Sequence, residues 1–199
     1  MDEHGMMRTG QGGAERMPPL AETAMTDAQQ RAAEALRSGP RGGVMGPFIA
    51  LLRSPELMDR LQRVGDYLRY GSSLETRARE FAMLIVSREW TQQFEWAVHV
   101  PLASKAGVAA ETIAALAAGR RPDVMTDDDA IVFDFCTELL RTKGVSDATY
   151  RRAVARFGEG GVMDLIGVAG YFTTVSMVMN VARTPTPYGS EVPPLARFP

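Results

Sequence analysis

Three side chains that can move protons fall within the stretch RAREFAMLIVSREWTQQFEWAVHV, residues 77–100: Glu80, Glu95 and His99. Imidazole is the side chain whose ordinary pKa lies nearest neutral pH, and a carboxylate beside it sets its tautomer or recharges it. Gln92, Glu95 and His99 follow one another at three and four residues, so on a helix they share one face. Glu80 lies further up the chain and offers two readings: a partner for His99, or an ordinary ion pair with Arg77 or Arg79. Either arginine could instead clamp a substrate carboxylate, but two residues apart on a helix they cannot both face one site. One histidine and two acids without an HExxH pattern make a thin ligand set, so no metal site is assigned.

The elements that must carry these groups read as helices. Glu75 to Glu89 places Ala78, Phe81, Ala82, Leu84 and Ile85 at helical spacing, with Glu80 next to that stripe. The pattern slips at Trp90; Thr91 is the expected cap of a new helix that runs to about Ala106 and stops at Gly107. Phe94 and Trp96 flank Glu95, and Tyr67 and Tyr70 precede the Glu80 helix; each is either core or the wall of an apolar pocket.

Upstream, Thr26 caps TDAQQRAAEALRSG, and Ser54-Pro55 opens a helix whose Leu57, Leu61, Val64 and Leu68 are expected to line one face. Between them GPRGGVMGPF, residues 39–48, has four glycines and two prolines, and is either an irregular linker or a segment folded over a pocket. Downstream, helices are expected at about 110–118, 127–142, 147–157 and 161–182, with Ser146 as a cap and Gly158 as a stop. No alternating strand pattern appears, which makes the fold all-α.

The 199 residues suit one domain, read as a helical body over 19–183 between an N-terminal tail, 1–18, and a proline-rich arm, 184–199. That arm is expected to lie extended over its own domain or a neighbouring subunit. His4 falls in the tail and is no ligand candidate. A formal charge of -2 gives no basic field for nucleic acid. The start of the chain lacks the apolar run of a secretory signal, so a cytoplasmic protein is expected. Residues 162–181 are mostly apolar, yet Asp164, Thr173, Thr174, Ser176 and Asn180 interrupt them, so a buried or interface helix is expected rather than a membrane span. The single cysteine, Cys136, lies among apolar positions and reads as a buried small hydrophobe.

The order Arg77, Arg79, Glu80, Gln92, Glu95, His99 and then LASKAGV resembles the carboxymuconolactone decarboxylase and alkylhydroperoxidase D superfamily, over about Thr26 to Ala182. Its peroxidase branch has Glu, eleven residues, Cys, two residues, Cys, three residues, His; Glu80 and His99 match the ends of that pattern, but Gln92 and Glu95 stand where the cysteines would be. Neither can form a thiolate, so the resemblance implies the decarboxylase branch and not a thiol peroxidase. It implies an AhpD-like bundle of about seven to eight helices assembling as a trimer or hexamer. It also implies a cofactor-independent decarboxylase of a small carboxylated unsaturated lactone or oxo acid. His99, Glu80 and Glu95 would be catalytic, with His99 as the acid, and Arg77, Arg79, Gln92 and Trp96 would contact substrate.

Overall fold

The computed structural model of the protein describes residues 13–196, and all regular structure in them is helical. The α-helices are α1 (Asp27–Ser38), α2 (Pro47–Leu51), α3 (Pro55–Asp66), α4 (Thr76–Glu89), α5 (Gln93–Lys105), α6 (Ala110–Ala117), α7 (Asp127–Thr142) and α8 (Asp147–Ala182). One turn of 3-10 helix, Glu22–Ala24, precedes α1, and a π turn, Tyr67–Gly71, extends α3. The helical bundle expected from the sequence is thus the observed fold, and His4 lies outside the described residues.

Local chemistry explains the helix ends. Thr26 and Thr126 each close a capping box, with Gln29 and Asp129 reaching back to the cap backbone. Ser146 caps α8, and Gly158, at φ 70°, breaks that helix into two limbs where the sequence places a stop. The cap of α5 differs from expectation: Thr91 takes a left-handed φ of 46° to tighten the connection, and Gln92 serves as the cap, accepting from the Phe94 backbone N–H at 2.6 Å.

α4 is the axis of the domain. Its residues are buried on every side, with Phe81, Ala82, Met83, Leu84 and Val86 fully enclosed, and it packs on α5, α7 and the second limb of α8. An all-round buried helix of this kind leaves no solvent face for a carboxylate, so Glu80 must find its partner inside the protein. Cys136 on α7 belongs to the same core, as expected.

A smaller core joins α1, α2 and α3 through Leu36, Phe48, Leu52 and Met58. Of the face expected here, Leu68 is buried and Leu61 packs on both cores, but the other two positions are off by part of a turn. Leu57 and Val64 are each 48% exposed, whereas Met58, Gly65 and Leu68 face inward. The π turn adds a residue per turn after Asp66 and rotates Tyr67 and Tyr70 outward. Asp164 on α8 pins that turn, accepting from Ser72 Oγ at 2.7 Å, Tyr67 Oη at 3.0 Å and both the backbone and hydroxyl of Ser73. Burial opposes the Asp164 charge, but these hydrogen bonds outweigh it and hold the carboxyl below its ordinary value.

Both ends of the described chain are tied down. Arg16 donates from its backbone to Ala182 and from its guanidinium to Val181. The C-terminal arm lies over its own domain: Gln93 exchanges two hydrogen bonds of 2.8 Å with the backbone of Leu195, and Arg88 donates to the Ala196 carbonyl. α8 is long and apolar enough to cross a membrane by composition alone, but 56% of its apolar window is buried against the rest of the domain.

Candidate active site

Glu80 on α4 and His99 on α5 meet where those helices pack. Nδ1 of His99 donates to Glu80 Oε2 at 2.7 Å, and Nε2 faces Glu95 Oε2 at 3.1 Å, one helical turn back on α5. The ring is 1% exposed, with Phe172 edge-on at 5.2 Å. Burial alone would push the imidazole pKa down; the hydrogen bonds and charges of Glu80 and Glu95 overcome it and raise the pKa to about 9. At neutral pH the ring is therefore an imidazolium clasped by two carboxylates, with no lone pair left for a metal.

A cavity of about 280 Å³ opens beside this trio. Glu95 and His99 form part of its wall, whereas Glu80 stands behind the imidazole. The aromatic rings of Phe94, Tyr171 and Phe172 supply much of the remaining wall, and two guanidiniums, Arg41 and Arg69, complete it. Burial pushes the Tyr171 phenol up to about 12, so it stays a neutral donor at ordinary pH.

Of the two readings of residues 39–48, folding over a pocket is the one observed, since Pro40, Arg41, Met45 and Pro47 all line the cavity. Nothing in the periodicity of the sequence announces Tyr171, which comes from the middle of the apolar α8. Arg41 could have been singled out only as the lone charge within the breaker-rich stretch.

The remaining expected site residues lie elsewhere. Arg77 forms a two-pronged pair with Asp129, at 3.0 and 2.6 Å, and its charge is used there. Arg79 folds back onto the Leu74 carbonyl and Thr76. Gln92 caps α5 and donates to Asn180 at 2.9 Å. Trp96 is 2% exposed in the main core. None of these four lines the cavity. For Gln92 and Trp96 the sequence shows that they are near Glu95 along the chain, but not which way the turn between α4 and α5 aims them.

Comparison with known proteins agrees with this architecture. Residues 55–130, which contain Glu80, Glu95 and His99, match the model of the carboxymuconolactone decarboxylase family. Among solved structures, an uncharacterized peroxidase-related protein from Ralstonia eutropha JMP134, described as an alkylhydroperoxidase AhpD core, superposes with a TM-score of 0.66 at 16% identity, covering 86% of this chain and 97% of its own. An uncharacterized peroxidase-related protein from Silicibacter sp. TM1040 superposes with a TM-score of 0.67 at 14% identity, covering 94% of this chain and 97% of its own. No curated protein matches the chain. The resemblance to the carboxymuconolactone decarboxylase and alkylhydroperoxidase D-like superfamily therefore stands, in sequence over the central helices and in fold over most of the chain.

Proposed function

We propose that the protein is a cofactor-independent acid–base enzyme that decarboxylates a small carboxylated unsaturated lactone or oxo acid. The observation that carries this reading is the buried chain Glu80–His99–Glu95 ending at a ligand-sized cavity. The roles differ from those expected of the residue types. His99 has both nitrogens engaged, so it is a relay rather than the group that meets the substrate. Glu95, the only carboxyl of the trio on the cavity wall, is the acid and base.

In the reaction the bond between the substrate carbon and its carboxylate breaks, carbon dioxide leaves, and the electron pair spreads onto the conjugated carbonyl. Glu95 passes a proton to the carbon as it takes one up from the His99 imidazolium. The proton comes ultimately from solvent, with Glu80 holding the ring in place. The conjugated carbonyl is the electron sink, so the scheme requires no cofactor. Thiol peroxidation is a poor fit, because Cys136 is enclosed in the core and burial pushes its thiol up to about 12.

The test is a screen of unsaturated lactone carboxylates and oxo acids with carbon dioxide release as the readout, on the wild type and Glu95→Gln. Release that falls about 100- to 10,000-fold in the variant supports the reading. Turnover without carbon dioxide, or release indifferent to Glu95, overturns it.

We further propose that the protein works as a homo-oligomer. Met163, Ile166, Met177 and Val181 form a stripe along α8 that is 62%, 38%, 45% and 55% exposed, apolar surface that a subunit contact would cover.

A further inference from the structure

Arg41 is an unusual arginine. Its side chain is only 9% exposed, yet it makes no hydrogen bond to any described residue: Nε and Nη2 are buried without one, and its single ionic neighbour is Asp66, Oδ1 to Nη2 at 3.0 Å. The guanidinium lies over the Phe48 ring, 4.6 Å from its centroid, so one face is occupied and donation is directed in the plane of the group. A buried charge that has left water without gaining hydrogen bonds is unfavourable unless something else completes it. The group is part of the cavity wall.

A second donor stands next to it. A Cβ built on Gly65 would lie 2.3 Å from Tyr171 Oη and 2.6 Å from Arg41 Nη2, so both groups converge over the bare backbone of α3 at that glycine. Tyr171 Oη has no hydrogen-bond partner among the described residues, and the phenol keeps its proton to about 12. Arg69, also on the wall, adds positive charge, while Glu95 is the one acid lining the cavity. The space between is apolar and aromatic. A charged fork, a neutral hydroxyl donor and flat apolar walls are together the chemistry that recognises a small planar carboxylate.

We infer that Arg41 and Tyr171 form an oxyanion-binding subsite that anchors a ligand carboxylate, with Gly65 kept side-chain-free so that the two donors can converge. The subsite rests on the reading of the cavity as the active site, and it adds the group that orients the substrate against Glu95. Arg41 is thus a positioning residue that sequence spacing assigned to Arg77 or Arg79.

The experiment is calorimetric titration of the full chain with two isosteric probes, benzoate and benzamide. The wild type is expected to favour benzoate by about 10-fold or more, the range of a charge-assisted hydrogen bond. Arg41→Gln is expected to bring that preference to within about 2-fold by weakening benzoate far more than benzamide, and Tyr171→Phe to weaken benzoate several-fold. Arg41→Lys keeps the charge next to Asp66 but loses the fork, so its preference should fall several-fold; it decides the matter if Arg41→Gln fails to fold. No benzoate preference in the wild type, or one that survives both Arg41 variants, overturns the inference. Glu95→Gln separates the two proposals: it should lose turnover and keep the preference for benzoate, so turnover that survives overturns the role of Glu95, whereas a benzoate preference that is lost with Glu95 overturns the subsite.

Discussion

The imidazolium clasped by two carboxylates makes a quantitative demand on stability. Folding raises the pKa of His99 from 6.5 to about 9, so the folded protein holds a proton that the unfolded chain releases across that interval. A raised pKa contributes stability that is fully present below about 6.5 and lost as pH rises through about 9. At 1.36 kcal/mol per unit, the interval corresponds to about 3 kcal/mol, on the order of a 10 °C fall in melting temperature for a chain of this size. Urea unfolding at steps between pH 6 and pH 9.5 measures it. Cys136 and Tyr171, pushed by burial from 9.0 and 10.0 up to about 12, contribute in the same sense, but their loss begins only as pH rises past about 9 and about 10. The informative comparison is Glu80→Gln combined with Glu95→Gln. It leaves the ring buried without its carboxylates, so burial alone governs and the pKa falls. The sign of the dependence then reverses, and the variant gains stability as pH rises through about 6.5. Parallel pH profiles in the two proteins would refute the assignment.

Three further outcomes follow from the same structure. Arg77→Ala should cost about 3–5 kcal/mol in urea unfolding, because it strands the buried Asp129 carboxylate, yet it should leave benzoate affinity unchanged. Gly65→Ala should keep the helix content seen by circular dichroism while weakening benzoate at least about 10-fold, since its methyl occupies the place of Tyr171 Oη and Arg41 Nη2. Light scattering should show an oligomer at micromolar concentration that Met177→Glu dissociates; a monomeric wild type would contradict the subunit contact along α8.

Much of the fold is legible from local signals. The caps at Thr26, Thr126 and Ser146 and the stop at Gly158 act through nearest neighbours, and those helices begin and end where the sequence places them. The pairing of Glu80 with His99 is legible through the nineteen-residue separation shared with the superfamily pattern, and the structure brings the two together. Three things are not legible because they depend on how elements are aimed. The left-handed Thr91 rotates α5, turning Gln92 to Asn180 and Trp96 into the core. The π turn after Asp66 rotates Tyr67 and Tyr70 outward. The cavity wall draws Arg41, Arg69 and Tyr171 from segments far apart in the chain, and only packing places them around Glu95.

The charge of His99 tests the central claim most directly. Nitrogen-15 spectra of histidine-labelled protein, with the signals assigned by their absence in His99→Gln, report whether each ring nitrogen carries a proton. A relay clasped between Glu80 and Glu95 predicts both nitrogens protonated at pH 7.5, with a titration midpoint near 9. A neutral ring in a single tautomer at that pH would contradict the account.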